Sequence, residues 1–263
     1  MKYCVSNKVG IETMEKADQI KFYASDMKAI PDYYEKYPDK EIILYYGYRD
    51  VIDWDELNEL HILGRGKLIV AIPYVELLEV AKEKGIRHFY SYPITTFYEL
   101  NALKKYDVEC VKIGIPLFFN MDKVKAVGIP IRAVPNVAYS DGFPRENGVC
   151  GQWIRPEDLN GIYADYIESI EFEGVGIDKE ELLYRVYAED HEWRRGLDLI
   201  INNLAKEGSN RLILSTVEQR LNCGQACQSG GKCHICERLF NLADIDKVVE
   251  YKHALNNPTE ETE

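Results

Sequence analysis

The sequence predicts an α/β fold, a (β/α)8 barrel-like parallel sheet with a C-terminal Cys-rich metal-binding segment. Two observations predict the barrel. From residue 41 short β-rich apolar runs alternate with amphipathic helical stretches, their starts near 41, 67, 87, 109 and 130 lying 20 to 26 residues apart, which is the length of one βα unit with short loops. Adding the candidates on either side brings the strand count to eight, the number that closes a barrel. A third observation, four cysteines within residues 223–236, predicts the appendage.

Taken in order, MKYCVS and QIKFYAS read as the first two strands, separated by a short helical piece around IETMEKA. EIILYYGY is the third, followed by DWDELNELHILG with Trp54, Leu57, Leu60 and His61 at helical spacing. KLIVAIPY leads into the helix VELLEVAKEKG, which stops at Gly85. RHFYSYPI is followed by TFYELNALKKYD, CVKIGIPLF by NMDKVKAVG, and PIRAVPNVAY supplies the seventh strand. After an insertion at 139–166, SIEFEG alternates as the eighth strand, and KEELLYRVYAEDHEWRRGLDLIINNL has helical periodicity. The near-continuous apolar character of these strands fits a sheet covered by helices. The organisation expected is a barrel over 1–205, a Cys-rich metal-binding appendage over 206–250 and an acidic tail over 251–263.

Composition limits the partners. The 263 residues are 46% apolar, enough for a substantial core. A formal charge of −12 argues against nucleic acid and anionic lipid as partners of the whole molecule. There is no run of about 18 apolar residues to cross a bilayer, and MKYCVSNKVG lacks the marks of a secretory signal. A cytoplasmic protein is expected, in which seven cysteines serve as thiols or metal ligands rather than disulfides.

Cys223, Cys227, Cys233 and Cys236 follow C-x3-C-x5-C-x2-C, with Gly224, Gly230 and Gly231 between them. Four thiolates can hold Zn²⁺ tetrahedrally, and the glycines supply the backbone freedom needed to aim them at one point. A 4Fe-4S cluster is the alternative cofactor, and disulfides or redox-sensitive thiols are the plainer reading. With four thiolates the zinc would be structural, holding the appendage and offering a surface to a protein partner.

In a barrel, chemistry sits at the C-terminal ends of the strands. Asp26, Asp50 and Glu171 are the acids there available for proton transfer, and Arg49 lies beside Asp50. The insertion carries Arg145, Arg155 and Trp153 between glycines and prolines. Arginine recognises carboxylate or phosphate through paired hydrogen bonds, so Arg49, Arg145 and Arg155 point to a small or anionic substrate, with Trp153 as a stacking surface. Trp153 could equally plug the barrel end while the arginines pair with local acids. Cys150 reads as a buried thiol and His191 as part of a solvated helix face. No G-x-G-x-x-G or Walker-type loop is present.

A barrel with several cysteines in its C-terminal part, here Cys150 and the 223–236 cluster, resembles the collagenase-like peptidase family, whose members include iron–sulfur proteins of anaerobic hydroxylation and RNA modification. That family's glycine- and arginine-rich cysteine signature is not visible, so the resemblance assigns no residue roles and implies only that iron–sulfur chemistry stays open. Two functional expectations follow: an enzyme with an open pocket at the barrel mouth, or a non-catalytic barrel whose mouth is filled and whose metal segment meets a partner.

Overall fold

A computed structural model describes residues 1–118, 120–135, 154, 159, 161, 163–172 and 176–189 of the chain. Its elements, in order, are β1 (Lys2–Ser6), α1 (Ile11–Lys16), β2 (Gln19–Tyr23), a 3-10 segment (Ala24–Ala29) running into α2 (Ile30–Lys36), β3 (Glu41–Tyr45), α3 (Trp54–Leu63), β4 (Leu68–Ile72) and α4 (Glu76–Glu83). Then follow β5 (Arg87–Tyr90), α5 (Phe97–Ala102), β6 (Val111–Lys112), α6 (Ile115–Phe118), α7 (Met121–Val127), β7 (Ile131–Ala133), β8 (Ile167–Glu171) and α8 (Ile177–Ala188).

The eight strands form one parallel sheet in the order β5-β4-β3-β2-β1-β8-β7-β6. The two end strands meet. Glu109 N donates to His88 O at 2.9 Å, Ile94 N to Lys112 O at 2.8 Å and Gly114 N to Ile94 O at 2.7 Å, with a parallel bridge between Ile94 and Ile113. The sheet is thus a nearly closed barrel with alternating helices. A Cβ at Gly114 would stand 3.0 Å from Thr95 Cγ2 and 3.3 Å from Ile94 O, so the backbone passes closely here and a side chain would need its neighbours to shift.

Local sequence explains the helices. Asp53 caps α3 by accepting from Asp55 N and Glu56 N, and Thr96 with Glu99 forms a capping box on α5. Gly128, with φ of 83°, ends α7 in the left-handed conformation. The stretch CVKIGIPLF departs from the strand expected of it: β6 is two residues long, and Ile115–Phe118 is helical, because Pro116 cannot donate to a ladder but is tolerated in a first helical turn.

Apolar residues at alternate strand positions, such as Ile20, Phe22, Ile42, Leu44, Leu68, Val70 and Ile72, are buried in the hydrophobic core. Phe22 meets Tyr33 of α2 edge to face with ring centroids 4.8 Å apart. In β2, β6, β7 and β8 the intervening positions break the apolar pattern. Gln19, Lys21, Lys112, Arg132, Ser169 and Glu171 are all buried, and several of them make contacts between strands that are not neighbours, as the interior of a barrel permits. Gln19 of β2 accepts from Arg132 Nη2 of β7 at 2.5 Å, and the Arg132 guanidinium lies 5.4 Å from the centroid of the Phe89 ring of β5. At the N-terminal end of the barrel Glu41 receives Lys2 at 2.9 Å, Gln19 at 2.8 Å and Arg87 at 2.9 Å. Arg87 also grips both oxygens of Glu109, at 2.8 and 2.9 Å. That end is closed by ions; the other, among the described residues, holds a cavity.

Among the described residues no helix is long and apolar enough to cross a membrane. Cys223, Cys227, Cys233 and Cys236, Arg145, Arg155, Trp153, Cys150 and His191 lie outside the described residues.

Candidate site at the barrel mouth

A cavity of about 520 Å³ opens at the C-terminal ends of the strands. Ser6 ends β1 on its wall, Lys21 and Tyr23 come from β2, and Tyr45 with Tyr46 and Gly47 from the end of β3. Ser91, Tyr92 and Pro93 follow β5, Lys112 belongs to β6, Glu171 and Phe172 end β8, and Ile177 and Glu180 come from the start of α8.

Glu171 is fully buried. One oxygen pairs with Lys112. The other accepts the Tyr45 hydroxyl at 2.6 Å and lies 3.3 Å from Arg132 Nη1. Lys112 Nζ also stands 4.7 Å from the centroid of the Tyr45 ring, so cation, carboxylate and phenol form one compact unit. Burial, and after it the Glu171 charge, push the Tyr45 phenol far above its ordinary range and keep it a hydrogen-bond donor.

Lys21 donates to Phe172 O at 3.3 Å. Burial acts to lower its pKa, but nearby acidic groups, Glu171 foremost, outweigh that and hold the ammonium above its ordinary value. Glu180 accepts from Ser6 N at 2.7 Å, and burial raises its carboxyl pKa despite Lys21. Three cations, Lys21, Lys112 and Arg132, therefore face two carboxylates, Glu171 and Glu180, in the described interior, and one of those acids is biased toward its neutral form. Of these, Lys21, Lys112, Glu171 and Glu180 line the cavity, two cations and two acids among the described residues.

Deeper in the barrel, Cys4 and Cys110 are buried free thiols next to Arg132. Burial pushes Cys4 up to about 11 and raises Cys110, outweighing the guanidinium, so both are protonated and neither is a nucleophile at neutral pH. At the rim, the Tyr48 ring stacks on Tyr92 with centroids 4.6 Å apart and 14° between planes, and Tyr74 donates to Tyr48 O at 2.6 Å.

Of the acids and cations expected at the mouth from sequence, Glu171 lies on the cavity wall. Asp26 does not; it pairs with Lys8 at 3.1 Å. Asp50 accepts from Gly47 N at 2.7 Å, holding the turn after β3, and Arg49 is exposed on that turn. Lys21, Lys112, Arg132 and Tyr45 were missed. For Lys21 the signal was alternation: Gln19, Lys21 and Tyr23 occupy every second position of QIKFY, the pattern of a strand whose polar face looks inward. Among the described residues no cluster of three or more His, Cys, Asp or Glu could hold a metal.

No protein-family model and no curated protein sequence matches the chain. Among solved structures it is similar to a glycerol uptake operon antiterminator-related protein from Thermotoga maritima, at 12% identity and a TM-score of 0.41 over 70% of this chain and 98% of that one. It is also similar to phosphoribosyl anthranilate isomerase from Thermus thermophilus, at 13% identity and a TM-score of 0.42 over 70% of this chain and 96% of that one.

Proposed function

We propose that the protein is an enzyme that binds a small anionic substrate in the barrel mouth and moves a proton with Glu171. The observation that carries this reading is that Lys21, Lys112 and Glu171, all buried, line one open cavity. Ammonium groups removed from bulk water bind carboxylate or phosphate more strongly than surface ones do, and a carboxylate in contact with an amine and a phenol can exchange protons with a bound ligand. Arg145, Arg155 and Trp153 of the insertion complete the substrate site in this proposal, while Asp26 and Asp50 have structural partners and leave the acid–base role to Glu171. Calorimetric titration of the full chain with a panel of small carboxylates and phosphates tests it. One site is expected, weakened about tenfold to a hundredfold by Lys21→Met, the loss of one charge-assisted hydrogen bond; binding unaffected by that substitution would refute it.

The thiol spacing supports a further part of the proposal, that Cys223, Cys227, Cys233 and Cys236 hold Zn, or alternatively a 4Fe-4S cluster, and through that segment meet a protein partner. Elemental analysis with a visible absorption spectrum on anaerobically purified protein separates the two: stoichiometric zinc without colour, or iron and sulfide with a brown chromophore. Metal-free, colourless, folded protein would rule out both.

A further inference from the structure

We propose that Lys112 forms a Schiff base with a carbonyl substrate that also carries an anionic group, the 2-oxo acids being the class that fits. This rests on the anion-binding reading of the same mouth and adds the covalent step. Two lysines line the cavity, and their surroundings separate their roles. Lys21 donates to a backbone carbonyl, Phe172 O, and is held as a cation by Glu171 and Glu180 acting together; it suits the substrate's carboxylate. Lys112 is in direct contact with a carboxylate, Glu171, which shares its other oxygen with the Tyr45 hydroxyl and Arg132. An amine that is to attack a carbonyl needs a group beside it to take and return protons, and needs desolvation or neighbouring positive charge to release one. Lys112 has all three, its side chain being 5% exposed and Arg132 sharing its carboxylate.

The step balances within these groups. The Lys112 ammonium passes one proton to Glu171, and the nitrogen lone pair bonds to the carbonyl carbon as the C=O π pair moves to oxygen. A second N–H proton shifts to that oxygen, giving a neutral carbinolamine. Glu171 then protonates the hydroxyl, the C–O bond breaks, and water leaves as the nitrogen lone pair forms the C=N bond. One ammonium and one carbonyl become one protonated imine and one water, with no oxidant or reductant. The imine carries the charge the ammonium had and Glu171 ends as the carboxylate it began as, so the cluster with Arg132 has the same charges after the reaction as before it, which in a buried ion cluster is a strong requirement.

The experiment is reductive trapping. The full chain is incubated with pyruvate and sodium borohydride, digested, and the modified lysine located by mass spectrometry, alongside Lys112→Arg, whose folding is checked by its melting curve. The expected result is one dominant adduct on Lys112, competed by inorganic phosphate and absent from K112R. Adducts distributed over exposed lysines, or concentrated on Lys21, would overturn the proposal on the wild-type protein alone. Phosphate binding measured in parallel separates the two readings. Phosphate binding without a Lys112 adduct overturns the imine and leaves the anion site standing; neither binding nor adduct overturns both, and a Lys112 adduct that phosphate does not compete supports the imine against the anion site.

Discussion

The Tyr45 hydroxyl donates to Glu171 Oε2 at 2.6 Å across a sequence separation of 126 residues, joining β3 to β8 through the middle of the barrel. Because Lys112 and Arg132 converge on the same carboxylate, Glu171 is the shared counter-ion of two buried cations as well as standing on the cavity wall.

Glu171→Gln is therefore expected to destabilise the fold by about 3–5 kcal/mol, since it leaves buried cations without their anion. Tyr45→Phe removes one hydrogen bond to a charged acceptor and should lose about 1.5–3 kcal/mol. Chemical denaturation measures both. Losses under about 0.5 kcal/mol, the scale of ordinary surface substitutions, would mean that the cluster is open to water.

Much of the fold was legible because each strand is an apolar run followed by an amphipathic helix. The starts expected near 41, 87 and 130 fall beside β3, β5 and β7, and even SIEFEG, placed on alternation alone, contains the end of β8. The 3-10 segment and α2 between β2 and β3 were not anticipated, because ASDMKAIPDYYEK mixes a proline with short polar stretches. The site was less legible. Lys112 and Arg132 sit in strands of two and three residues, too short for a period to show, and the partners that explain them lie 39 to 113 residues away in sequence. Glu171 is expected at the mouth from its place at a strand end, a local feature, and it lines the cavity. Arg49 and Asp50 share that kind of position, and the turn after β3 leaves both exposed.

Acid titration of stability should carry the signature of Glu41. Burial alone would raise its pKa, but hydrogen bonds from Gln19, Lys2 and Arg87 outweigh it and bring the carboxyl from an ordinary 4.5 down to about 2. The unfolded chain then binds the proton more readily, so this stabilisation is complete above pH 4.5 and is lost as pH falls toward 2. Glu41→Gln should be less stable at pH 7, and its difference from the wild type should shrink through that window. A difference independent of pH would contradict the assignment.

With burial holding its pKa at about 11, the Cys4 thiol is ionised to about one part in a thousand at pH 8. Peptide-resolved alkylation at that pH should leave Cys4 and Cys110 unmodified in the native protein and modify both in denaturant. Rapid native labelling of either would mean that the barrel interior is accessible to the reagent and the thiols are not shielded as described.

The most direct measurement is a crystal structure of the full chain grown with inorganic phosphate. The account predicts an anion in the mouth with oxygens at hydrogen-bond distance, about 2.7–3.2 Å, from the ammonium groups of Lys21 and Lys112. A mouth filled by Trp153 and the rim tyrosines, with phosphate absent or bound elsewhere, would contradict it and favour a barrel that serves as a binding module.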